Sequence, residues 1–155
     1  MTNFFQEYDK ESTPITSDMA EPILNELAEQ IDEQWRTHKI DAIVTRSTSS
    51  EDNKIVLALY LNVGYKRKFY NYRFIEVKQP FDEKYPVIIS AFQSPPTPEE
   101  KIKDGTKLRE KLIKIIGDPR TKIVKHHLVE MRENIKQWVD EAVEEGDDNF
   151  NGDSE

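Results

Sequence analysis

The chain has 155 residues, 36% of them hydrophobic and 34% charged, with a formal net charge of −8 and no cysteine. That length and composition suit one polar globular domain. The composition excludes disulfide stapling, thiolate metal sites and cysteine nucleophiles in one step. The first twenty residues lack the basic start and apolar run of a signal peptide, and no stretch approaches the roughly 18 apolar residues of a membrane span, so the expectation is a cytoplasmic protein without a membrane partner.

The net charge hides a pattern. Residues 1–53 hold 12 acids and 4 bases, residues 54–139 hold 18 bases and 10 acids, and residues 140–155 hold 8 acids and no base. A basic middle between acidic ends leaves an anionic partner open where the whole-chain value would argue against one.

In chain order, residues 1–16 are polar with Phe4, Phe5 and Tyr8 interspersed, and read as a flexible arm or a docking segment. Ser17 or Asp18 can cap a helix whose first turn holds Pro22. Leu24, Leu27, Ala28, Ile31 and Trp35 recur at helical spacing, which predicts a helix to about His38. Four strands follow. Ile40 to Ser47 is the first, and residues 48–53 form a polar turn. Lys54 to Val63 is apolar on both faces, as a central strand is. Gly64 is placed to reverse the chain. Lys68 to Lys78 alternates, with Tyr70, Tyr72 and Phe74 on one face and Phe69, Ile75 and Val77 on the other. Val87 to Phe92 is the fourth.

Thr97-Pro98-Glu99-Glu100 has the pattern of a capping box, which predicts a helix from Thr97 with Ile102, Leu108, Leu112, Ile115 and Ile116 on its apolar side and Gly105 in its interior. Gly117 stops it. Val124, Leu128, Met131, Ile135, Trp138 and Ala142 then repeat at steps of four and three, predicting a long helix to about Gly146. The β-branched start, Thr121 to Val129, leaves a strand as the alternative there. The domain reading is a flexible arm at 1–16, a single α+β domain at 17–145 and a disordered acidic tail at 146–155. The expected fold is an N-terminal helix, a four-stranded antiparallel meander and two C-terminal helices packed on one face of the sheet. Leu57, Leu59, Leu61, Ile75, Leu112, Leu128 and Ile135 should form its core. The element order, with Tyr85-Pro86 before the last strand, is similar to that of the ubiquitin-conjugating and RWD folds; without a cysteine, conjugating chemistry of that kind is excluded.

Three groups of residues bear on function. The stretch 65–73 places Tyr65, Lys66, Arg67, Lys68, Phe69, Tyr70, Tyr72 and Arg73 together, and no acid lies between Asn53 and Ile75. Bases neutralise phosphates and exposed aromatics stack on unpaired bases, so Lys66, Arg67, Lys68, Tyr70, Tyr72 and Arg73 suit single-stranded nucleic acid. The plainer reading is a strand with one aromatic face on the core and edge lysines that deter aggregation. Glu76 and Lys78 point to one face of a strand, the spacing used by PD-(D/E)xK nucleases with Mg²⁺. Asp52 is the best upstream acid, though no proline precedes it, and a cross-strand charge pair is the plainer reading. His126 and Glu130 are one helical turn apart, but no third ligand is evident, and His127 is expected in the helix seam with His126 facing water. Five widely spaced glycines supply no phosphate-binding loop.

The expected function is therefore a non-enzymatic macromolecular binding protein of the inhibitor, immunity or adaptor type. It would act through a sheet or helix surface on another protein, with no cofactor or metal. The alternatives are single-stranded nucleic-acid binding through 65–73 and a Mg-dependent nuclease using Glu76 and Lys78.

Overall fold

The computed structural model describes residues 4–5, 19–49, 51 and 53–144. The acidic tail at 146–155, the proposed caps Ser17 and Asp18, and most of the arm at 1–16 lie outside the described residues. Helix α1 (Ala20–Gln34) buries Ile23, Leu24, Leu27, Ala28 and Ile31, a stripe spaced at three and four. A short 3₁₀ turn at Arg36–His38 follows, and Lys39 adopts a left-handed backbone with φ 63° to start the first strand.

The sheet has five antiparallel strands in the order β1 (Asp41–Ser49), β2 (Lys54–Tyr65), β3 (Lys68–Pro80), β4 (Val87–Ala91) and β5 (Thr97–Ile102). Directly opposed residues of antiparallel strands share a face. On β2 and β3 the pairs Leu57–Val77, Leu59–Ile75, Leu61–Tyr72 and Val63–Tyr70 therefore line one face. Leu57, Leu59, Leu61, Ile75 and Val77 on it are fully buried.

The alternation read from 68–78 fails at one point. Leu59 pairs with Ile75 and Tyr60 with Arg73, so Phe74 is an extra residue in a β-bulge. Past the bulge the inward parity changes from even to odd. Tyr70, Tyr72, Phe74, Ile75 and Val77 consequently share one face, where a regular strand would divide them between two.

Gly64 does not reverse the chain. It lies within β2 opposite Phe69, and the turn falls after it, with Lys66 at φ 55°. A Cβ on Gly64 would come 2.2 Å from Cδ1 of Phe69 and 2.9 Å from the Lys68 carbonyl oxygen. The Phe69 ring occupies the space that any other residue would need, so the glycine is a packing requirement here.

The fifth strand corrects the expected four, along with the capping box at Thr97. Residues 97–102 pair with β4, with Ile102 opposite Val87, and both of these side chains are buried. The Thr97 hydroxyl donates to the Gln93 side-chain oxygen and caps no helix. Pro98 is tolerated because β5 is an edge strand. Helix α2 (Gly105–Gly117) starts instead at Asp104, whose carboxylate accepts the Lys107 amide at 2.8 Å. Gly105 is thus its first residue and Ile102 belongs to the sheet.

Helix α3 (Pro119–Glu144) confirms a helix over 121–129. It buries Val124, Leu128, Ile135 and Val139. Trp138, placed in the seam by its spacing, is 61% exposed, and Val139 takes the inward position. All seven expected core residues, Leu57, Leu59, Leu61, Ile75, Leu112, Leu128 and Ile135, are buried.

Helix α1 contacts β1 and β2, and α3 contacts β2 and β3. Arg109 of α2 reaches Glu26 of α1 in a buried bidentate pair, Nη1 to Oε1 at 2.9 Å and Nη2 to Oε2 at 3.3 Å. The three helices thus form one layer over the apolar face. Phe4 is 2% exposed, its amide donating to Gln30 Oε1 at 2.7 Å, and Phe5 meets the Trp35 ring edge-on. At these two residues the arm is docked. No described helix is long and apolar enough to cross a membrane.

Candidate binding surface

With the helices on one side, the outer face of the sheet presents the other set of opposed pairs. Ile43 of β1 lies opposite Tyr60 of β2, which lies opposite Arg73 of β3; Thr45, Ala58, Glu76 and Ser90 form the next row. Ile43 is 51% exposed. Arg73 donates from Nε and Nη2 to the Tyr60 hydroxyl at 3.2 and 2.9 Å, and from Nη1 to Glu76 Oε2 at 2.7 Å. Its guanidinium carbon is 5.5 Å from the Tyr60 ring centroid. The bond to the Tyr60 hydroxyl holds this guanidinium above even its usual high pKa. The result is a braced cation and ring in the middle of the face, with a large aliphatic side chain beside them.

The hairpin joining β2 and β3 forms a second surface. Tyr65 carries Lys66 Nζ at 5.4 Å from its ring centroid, and Arg132 and Lys136 of α3 at 5.9 Å each. Lys68 Nζ lies 5.7 Å from the exposed ring of Trp138. Lys66, Arg67 and Lys68 are all exposed at this tip, and so is Phe69 at 63%. Cations and aromatics are therefore gathered here from two elements, as they are in surfaces that track a single-stranded backbone.

The six residues expected to bind together are divided by the fold. Lys66, Arg67 and Lys68 stand at the hairpin tip, and Arg73 stands in the middle of the outer face. Tyr70 and Tyr72 turn to the helix side. Tyr70 meets His127 edge-on with ring centroids 6.1 Å apart, and the Tyr72 hydroxyl donates to the Phe92 carbonyl. Burial and the nearby Tyr70 push the Tyr72 phenol upward in pKa. The exposed aromatics of the tip are Phe69 and Trp138 instead. Sequence spacing hid Trp138 because it continues the heptad-like steps of α3.

Glu76 and Lys78 do share the outer face, but Glu76 is paired with Arg73 three residues before it, across the bulge. Asp52 lies outside the described residues. His126 Nε2 and Glu130 Oε2 are 3.2 Å apart, and both side chains are largely exposed. His127 is also exposed, lying against Tyr70 and outside the seam expected for it. Among the described residues no cluster of three metal-ligating groups forms.

No family model, no curated protein and no solved structure matches the chain.

Proposed function

We propose that the chain is a non-enzymatic binding protein that presents the outer face of its sheet to another protein. The observation that carries this reading is the layering. Three helices share one side of a five-stranded sheet, which leaves Ile43, Tyr60 and the braced Arg73 facing outward. A tyrosine and an arginine already held in place are residue types that carry binding energy at protein interfaces, because little rotamer freedom remains to be lost, and Ile43 adds apolar area beside them.

The test compares partner capture from the source cell by two variants. Ile43→Glu with Tyr60→Ala should lose a partner that the parent chain retains. Lys66→Ala, Arg67→Ala and Lys68→Ala together should keep it. The reverse pattern removes the sheet face from the reading.

The cations around Tyr65 and Trp138 favour a second reading, in which the hairpin tip binds single-stranded nucleic acid. A labelled oligonucleotide titrated at two salt concentrations checks it. Binding should weaken steeply with salt, because each neutralised phosphate releases counterions. Unchanged binding by the triple-alanine variant would place the contact elsewhere.

A further inference from the structure

A polar cleft of about 560 Å³ opens where the end of α1, the start of β1 and the β2–β3 hairpin meet. Four cations line it: Arg36, Lys39, Lys66 and Arg132. Among the described residues, Arg36, Lys39 and Lys66 form no ion pair, although two acids line the same space. One of those acids has another duty. Asp32 Oδ1 accepts the Ala42 amide at 2.6 Å, which ties the start of β1 to α1. Asp41 opens β1 opposite Asn62, and its carboxyl is pushed upward in pKa by burial and, second, by Asp32.

Three further features define the cleft. The Asn62 side chain also lines it, and its buried Oδ1 has no hydrogen-bond partner. Lys39 and Lys66 are two of the three described non-glycine residues with positive φ, at 63° and 55°. Both residues lie at turns and both line the cleft. Arg132 is held by its Nε bond to the Gly64 carbonyl at 3.1 Å, and Phe69 seals Gly64 with one side of its ring while staying 63% exposed.

We infer that this cleft binds a nucleoside monophosphate or a closely similar phosphate monoester carrying a flat ring. The phosphate, at about −1.5 to −2 charge near neutral pH, meets the unpaired cations. The ring stacks on Phe69, whose exposed face borders the cleft. This site goes beyond the protein-binding face and does not depend on it.

The experiment is calorimetric titration of the full chain with adenosine 5′-monophosphate, adenosine and inorganic phosphate in turn. The monophosphate should bind at least about tenfold more tightly than either fragment, since it alone makes both sets of contacts. Lys39→Gly with Lys66→Gly should weaken it by about tenfold or more without lowering the melting temperature, because glycine adopts positive φ freely. Arg36→Ala, an exposed change, should weaken it independently. Failure of the monophosphate to bind, equal binding of inorganic phosphate or adenosine, or parental affinity in these variants overturns the assignment.

Discussion

Losing Arg109 should damage the fold more than its ion pair with Glu26 suggests, because of what remains behind. Arg109 is 4% exposed and Glu26 9% exposed, and their two hydrogen bonds join α2 to α1 inside the helix layer. Arg109→Met keeps most of the stem packing but leaves the Glu26 carboxylate in the core without its cation. Breaking a buried pair from one side costs about 3–5 kcal/mol, since the remaining charge is neither solvated nor paired. For a chain of this length each kcal/mol moves the melting temperature by about 2–4 °C, so the variant should melt roughly 6–20 °C lower. Arg109→Met with Glu26→Leu removes both charges and should recover to within about 1 kcal/mol of the parent, or exceed it. Urea titration gives the free energies, and calorimetry gives the melting points. A loss below about 1 kcal/mol for the single variant, or a double variant as unstable as the single one, would show that the buried Glu26 charge does not depend on Arg109.

Three further outcomes follow from the packing and the charges. Gly64→Val should cost about 1–3 kcal/mol by urea titration, because its Cβ meets the Phe69 ring and the Lys68 carbonyl. Phe4→Ala should cost about 3 kcal/mol or more by the same measurement, as expected for a buried phenylalanine; a loss of a few tenths would show that the docked arm adds nothing. Asp118 is held at a pKa of about 2, chiefly by the Arg120 side-chain bond and then by the Arg120 amide. This folded value lies below the ordinary aspartate value of 3.8, so its stabilisation is present above 3.8 and is lost as pH falls through about 2. An NMR titration of the carboxyl should show that midpoint, and Arg120→Ala should move it back toward 3.8.

What could be read from the sequence were the features that depend on local periodicity. The apolar run of β2, the stripe of α1 and the core positions of α3 each announce themselves within one element, and Leu59, Leu112 and Leu128 are buried as their spacing requires. The misreadings share a cause, which is competition between a local signal and a distant partner. Thr97-Pro98-Glu99-Glu100 is a sound helix start in isolation, yet β4 offers that segment a strand edge and Val87 needs Ile102 beside it. Asp104 then supplies a second cap a few residues later. The bulge at Phe74 leaves no mark in a stretch that is apolar on both parities. The link between Glu26 and Arg109 spans 83 residues of chain and has no local signature. At the candidate surfaces, the basic hairpin was visible as composition, but its aromatic partners were not. Trp138 arrives from another element, and Tyr70 and Tyr72 turn inward because their opposed residues, Val63 and Leu61, do.

The binding reading rests on the outer sheet face being the surface a partner meets. Site-specific photo-crosslinking tests this most directly, with the reactive side chain placed at Ile43 on β1 in one chain and at Ile123 on α3 in another. Both positions are exposed, at 51% and 52%, so accessibility does not favour either one. In extracts of the source cell, position 43 should give a discrete protein adduct that is competed by the unlabelled parent chain, and position 123 should give none. A competed adduct from position 123 alone would contradict it and move the interface to the helix layer.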